Sequence, residues 1–102
     1  MTDADDIQTV GVVGAGTMGS GIAQLMAMNG IEVRLYDVSN VILDAAEARI
    51  LKGLERAEQP AAFPLVRKTT RLDALAGVDF VVEASAEDLE VKGGSYRWGH
   101  NL

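Results

Sequence analysis

The chain contains no cysteine. Disulfides, thiol catalysis and cysteine-ligated metal centres are therefore excluded. Histidine occurs once, as His100, in an aperiodic stretch near the C-terminus. A general base needs an orienting carboxylate and reach to its substrate, so His100 is read as a terminal residue and no catalytic residue is assigned. Basic residues are in deficit, 9 against 15 acidic ones, for a formal net charge of −6. No basic patch for nucleic acid or an anionic membrane is expected. The deficit does not exclude an anionic cofactor, because backbone N–H groups can hold phosphate without lysine. No apolar run is long enough to span a bilayer. The opening Met1-Thr2-Asp3-Ala4-Asp5-Asp6 is acidic and does not fit the n-region of a signal peptide. Together with the missing disulfides, this leads to the expectation of a soluble, cytoplasmic protein.

What the chain does have is glycine in one place. Of its 11 glycines, five fall within Val10–Gly21, "VGVVGAGTMGSG". Glycine weakens strand and helix interiors, so such crowding requires a reason.

The 102 residues suit one small domain with little stability to spare. Ile7 to Val13 is short, β-branched and nearly all apolar, as in a strand covered on both faces. From Thr17 to Asn29 the period changes to that of a helix, with Met18, Ile22, Leu25 and Met26 on one stripe. Gly30 is placed to stop it. Ile31 to Val38 alternates as a strand, with Ile31, Val33 and Leu35 opposite Glu32, Arg34 and Tyr36. Ser39 or Asn40 can cap a helix running to about Glu58, with Ile42, Ala45, Ala46, Ile50 and Leu54 inward. Pro60 ends it, and "QPAAFP" reads as a loop. Val66 to Arg71 suits a polar edge strand, Leu72 to Gly77 a helical turn or two, and Val78 to Ala84 another buried strand. Ser85 to Asp88 resembles a helix start.

This alternation predicts an α/β fold: a partial Rossmann fold, its parallel sheet of about four strands with helices on both faces. Residues 1–92 form the expected nucleotide-binding unit and residues 93–102 an irregular tail.

Gly14-x-Gly16-x-x-Gly19 lies directly after a predicted strand and opens a predicted helix. In that context it is the dinucleotide-binding fingerprint. Gly14 permits the tight turn, Gly16 lets the backbone approach a pyrophosphate, and Gly19 lets helix and strand pack closely. Ala15, Thr17 and Met18 complete the phosphate-facing backbone. The fingerprint also demands an acidic residue at the end of the next strand, about 20 residues on. Asp37 lies there, 18 residues after Gly19. Its carboxylate can accept from ribose hydroxyls and would repel a 2′-phosphate, which favours NAD over NADP. FAD-binding domains use the same turn.

Val10 to Val38, "VGVVGAGTMGSGIAQLMAMNGIEVRLYDV", and Thr69 to Lys92, "TTRLDALAGVDFVVEASAEDLEVK", resemble the N-terminal segment of 3-hydroxyacyl-CoA dehydrogenases. The resemblance implies NAD-linked oxidation of the 3-hydroxyl of an acyl-CoA, as in fatty-acid metabolism. It also implies NAD contacts from an acidic residue and a lysine five positions later, here Glu87 and Lys92; the alternative for this pair is a solvated helix start. The resemblance further implies CoA contacts from a serine and a lysine in a helical hairpin, at positions occupied here by Gly53 and Pro60. The family's catalytic serine and histidine–glutamate pair lie in segments that do not follow Lys92 in this sequence.

The chain is accordingly expected to be catalytically incomplete alone, taking an acyl-CoA substrate only when completed by another chain. A stand-alone NAD(H)-binding or regulatory module and a non-functional truncated remnant remain the alternatives. Lacking a further strand beside it, Val78–Ala84 is expected to leave an open sheet edge available for self-association.

Overall fold

The computed structural model describes residues 7–85 and the backbone of residues 90–93. Strand β1 spans Thr9–Val13, helix α1 Thr17–Met28, strand β2 Glu32–Tyr36 and helix α2 Asn40–Arg56. A 3-10 helix, Pro60–Leu65, leads into β3, Val66–Thr69. A second 3-10 helix, Leu72–Leu75, leads into β4, Phe80–Glu83, and β5 spans Glu90–Gly93. Among the described residues no helix is long and apolar enough to cross a membrane.

The strands form one sheet in the order β3-β2-β1-β4-β5. The first four are mutually parallel, as the alternation of strands and helices predicts. Register brings their C-terminal ends level, with Val13 opposite both Tyr36 and Glu83. The chain passes outward from β1 in one direction to β2 and β3, then returns to the other side of β1 as β4. That reversal leaves a crevice beyond the strand ends, the usual ligand position in such sheets.

Strand β5 was not foreseen. It lies antiparallel to β4, pairing Val82 with Val91 and Val81 with Lys92. The expectation of a bare edge at Val78–Ala84 is corrected accordingly: four residues of the same chain occupy it. No periodicity marked them, because a short edge strand carries its signal in its partner rather than in itself.

Both long helices bury their apolar sides against one face of the sheet. Val10, Val12, Val33, Leu35 and Val66 meet Leu43, Ile50 and Leu54 in a single core. Each of these large side chains from α2 is fully removed from solvent, which stabilises the fold by about 1.5–3 kcal/mol apiece. The opposite face carries the Leu72–Leu75 turn, whose Leu75 lies directly over Gly11. Arg34 fastens that turn by donating to the carbonyls of Ala74 and Ala76, at 3.1 and 3.4 Å.

The buried sides of the helices differ from those expected. In α1 the inward stripe is small, Gly19, Ser20, Ala23 and Ala27, whereas Met18 and Leu25 are exposed. Helix α1 is apolar nearly all round, so periodicity alone could not select its buried side. Close approach to the sheet selected the residues with least bulk. The i, i+4, i+8 spacing of Gly19, Ala23 and Ala27 was the available signal. In α2 the inward set is Leu43, Ala46, Ile50, Gly53 and Leu54, while Ile42 and Ala45 face solvent. Gly53 is buried because α1 crosses there: a Cβ at Gly53 would collide with the Gln24 side chain.

The segment expected as a loop, "QPAAFP", is largely helical. Pro60 starts the 3-10 helix instead of merely ending α2, consistent with proline's preset φ and missing N–H in a first turn. Helix α2 stops earlier, at Arg56. Its end is made by Glu58, at φ 60°, with Glu58 N–H donating to the Glu55 carbonyl and Gln59 N–H to the Leu54 carbonyl. The same paired closure ends α1, with Gly30 at φ 78° and Ile31 N–H donating to the Met26 carbonyl.

Candidate dinucleotide site

Residues 14–16 turn the chain from the end of β1 into α1 at the centre of the sheet's C-terminal edge. The three fingerprint glycines have distinct surroundings. Gly14 adopts φ 102°, and a Cβ there would stand 2.8 Å from Cα and N of Ser85, just past β4. Only glycine fits both that conformation and that contact. A Cβ on Gly19 would strike the carbonyl oxygen of Gly14, so the helix could not sit so close to the turn. Gly16 is different: nothing lies within 4 Å of where its Cβ would stand. Its lack of a side chain serves no internal packing, and it leaves room for a group arriving from outside.

That group would meet the start of α1. Gly16 caps the helix without any side-chain hydrogen bond. The first N–H groups of a helix have no intrahelical partner and carry partial positive charge, which suits a phosphate. No acidic residue lies in the first turn of α1 to compete for that position. Thr17 and Met18 lie at the helix start and are exposed.

Asp37 follows β2 at the same level. Its Oδ2 accepts from the Ala15 N–H at 3.0 Å, and its Oδ1 from the Ser39 N–H at 3.2 Å. The expected acidic residue thus stands against the glycine turn, with its carboxylate half-buried between two backbone donors. A shallow cleft of about 250 Å³ opens beside it, lined by Val13, Gly14, Tyr36, Asp37, Val38 and Ser85. The cleft joins the ends of β1, β2 and β4, as a site at the strand-order reversal must. Open backbone at Gly16, a helix N-terminus and the neighbouring Asp37 carboxylate suit the adenosine diphosphate part of a dinucleotide.

Sequence reasoning missed two residues that shape this turn. Ser20 is 1% exposed, and its Oγ donates to the Gly16 carbonyl at 2.7 Å and approaches the Ala15 carbonyl at 3.3 Å. Arg49, from α2, donates to that same Oγ at 2.8 Å. Ser20 lies directly after the fingerprint, but Arg49 is 29 residues away and no local pattern marks it. Of the other expected cofactor residues, Glu87 lies outside the described residues. Lys92 is described through its backbone alone, in β5 opposite Val81. The helix expected to start at Ser85 also lies outside them beyond Ser85 itself.

The positions that the resemblance assigned to CoA contacts are occupied otherwise. Gly53 is buried at the crossing of the two helices, and Pro60 begins a 3-10 helix. Neither offers a side-chain hydrogen-bond donor.

Comparison with known proteins places these features in a context. Residues 9–98 match the family model described as 3-hydroxyacyl-CoA dehydrogenase, NAD binding domain. The chain is 43% identical over 98 residues to a 3-hydroxybutyryl-CoA dehydrogenase of Mycobacterium tuberculosis, covering 87% of this chain and 34% of that protein. It is 40% identical over 96 residues to a 3-hydroxyadipyl-CoA dehydrogenase of Escherichia coli, covering 85% and 20%. Among solved structures, it is similar to M. tuberculosis FadB2, with a TM-score of 0.74 at 43% identity over 80% of this chain and 32% of that one. It is similar also to the (S)-3-hydroxybutyryl-CoA dehydrogenase of Ralstonia eutropha, at a TM-score of 0.74 and 36% identity over 81% and 32%. The chain spans about a third of the length of the 3-hydroxybutyryl-CoA dehydrogenases it matches.

Proposed function

Because the chain belongs to the 3-hydroxyacyl-CoA dehydrogenase family through its NAD-binding domain, we propose that it supplies the cofactor half of an NAD-linked oxidation of a 3-hydroxyacyl-CoA. The observation that carries this reading is the open backbone at Gly16, set at the N-terminus of α1 beside Asp37.

In this reading the backbone N–H groups at the start of α1 bind the pyrophosphate, aided by the helix dipole. Asp37 accepts from the adenosine ribose hydroxyls and disfavours a 2′-phosphate by charge repulsion. Glu87 and Lys92 are proposed to contact NAD further along the crevice. A bound NAD would supply the hydride acceptor for the carbon that carries the hydroxyl. This chain's part is to hold and orient, which converts an encounter into a fixed geometry.

Proton removal requires a base held near the substrate hydroxyl, and the sequence through Lys92 offers no histidine for it. The acyl-CoA contacts and the histidine–glutamate pair are therefore proposed to come from residues other than these 102. Residues 1–92 are proposed as the NAD-binding unit, and the cytoplasm as its location. The outer sides of β3 and β5 end the described sheet, and self-association is proposed to use such an edge. Sedimentation over a concentration series tests that part.

The main test combines binding and turnover. Titration of the chain with NADH, followed by fluorescence, is expected to saturate and to raise the melting temperature. Acetoacetyl-CoA added to the chain and NADH is expected to give no oxidation of NADH until a segment carrying the catalytic pair is supplied. Absence of both binding and thermal shift at millimolar NADH overturns the reading of the turn. Turnover by the chain alone overturns the division of labour.

A further inference from the structure

We propose that Arg49 is a positioning residue for the dinucleotide turn, acting through the buried hydroxyl of Ser20. The proposal rests on the reading that this turn holds a dinucleotide pyrophosphate.

Gly16 is where the turn must be bare, and it is also where the backbone is least constrained by its own side chain. The peptide between Gly16 and Thr17 can present either its N–H or its carbonyl to an arriving phosphate. In a trans peptide these two groups point in opposite directions. Whatever holds the Gly16 carbonyl inward therefore aims the Thr17 N–H outward.

The carbonyl is held twice. Ser20 N–H donates to it at 2.9 Å, as a normal helical bond, and Ser20 Oγ donates to it at 2.7 Å. The second bond depends on the direction of the hydroxyl proton, and Ala15 offers a competing carbonyl at 3.3 Å. Arg49 decides that direction. Its Nη1 donates to the same Oγ at 2.8 Å. An oxygen that accepts from a permanent cation must send its one proton elsewhere, and the nearest acceptor is the Gly16 carbonyl. A charged donor also polarises the hydroxyl and strengthens the bond it gives.

The placement of the charge supports the same reading. Among the described residues Arg49 pairs with no carboxylate. It stands instead near the positive end of α1, where the helix dipole disfavours a cation. A bound pyrophosphate reverses that balance, so the arrangement is worth most when the site is filled.

A double-mutant cycle on the full chain tests the proposal, with NADH and adenosine as probes and melting temperature recorded alongside. Arg49→Ala and Ser20→Ala are each expected to weaken NADH about tenfold. Because one acts through the other, the double variant is expected to lose about tenfold as well, not about a hundredfold. Adenosine, which lacks the pyrophosphate, is expected to compete as well against either variant as against the wild type. Arg49→Lys keeps one donor and is expected to recover most of the NADH affinity.

Independent losses in the double variant overturn the proposal. So does an equal loss of adenosine affinity, or unchanged NADH affinity in Arg49→Ala. A wild-type chain that fails to bind NADH refutes the underlying reading of the turn, whereas a binding wild type with indifferent variants refutes only the role of Arg49.

Discussion

The carboxylate of Asp37 accepts a hydrogen bond from the backbone N–H of Ala15 at 3.0 Å, across 22 residues of sequence. The residue proposed to face the adenosine ribose is therefore also a fastening of the glycine turn. Its second oxygen receives the Ser39 N–H, which ties the entry of α2 to the same point.

Asp37→Ala removes both functions. NADH affinity is expected to fall by about tenfold or more, since hydrogen bonds to a charged group contribute about 1.5–3 kcal/mol. Discrimination against NADPH is expected to relax with it. Parallel fluorescence titrations with the two nucleotides check this, and an unchanged ratio of affinities refutes the ribose role. Asp37→Asn retains an acceptor for Ala15 and is expected to preserve the melting temperature better than alanine does.

Gly16→Ala and Gly19→Ala separate binding from folding. The Gly16 side is open, so alanine there is expected to leave thermal stability nearly unchanged and to weaken NADH strongly. At Gly19 the added methyl meets the Gly14 carbonyl, a backbone atom with no freedom to yield. That variant is expected to lose stability by about 1–3 kcal/mol. Urea unfolding beside NADH titration distinguishes them, and the reverse pattern contradicts the site as described.

Glu58 occupies the left-handed conformation that closes α2, at φ 60°. A residue with a Cβ loses roughly 1–2 kcal/mol there, and glycine gives back part of that through its unfolded-state entropy. Glu58→Gly is expected to stabilise the chain by about 0.5–1 kcal/mol, read as a higher urea midpoint at constant slope. Loss of stability contradicts the assigned closure.

Asp79 links β4 to the start of β1. Its Oδ2 accepts from the Gln8 N–H at 2.8 Å and the Thr9 N–H at 3.0 Å. These bonds hold its carboxyl below the usual carboxylate range. A depressed folded-state value means that the folded state binds the proton less readily than the unfolded one. The stabilisation is therefore complete above the unfolded-state value and fades as pH falls through the folded-state value. The stability gap between wild type and Asp79→Asn is expected to be constant from neutral pH to about 5 and to shrink below about 4. A gap that widens on acidification has the wrong sign for this arrangement.

Local pattern in the sequence placed the first four strands and the elements between them in order, the glycine turn, and the acid that stands against that turn. These are local or fixed-spacing features: a strand's β-branched run, a glycine where backbone must be bare, and an acid one strand later. The cap at Ser39, whose Oγ accepts from the Ile42 N–H at 3.3 Å, was legible for the same reason. Tertiary structure alone decided the rest. Helix α1 is apolar on several sides, and only contact with the sheet chose Gly19, Ala23 and Ala27 over Met18 and Leu25. Strand β5 exists through its pairing with β4, which no property of four residues announces. Arg49 reaches the turn because α2 folds back along α1, bringing a guanidinium to a hydroxyl 29 positions away. Spacing along a chain encodes what one segment does by itself, whereas the choice among equivalent faces and the meeting of distant side chains follow from packing.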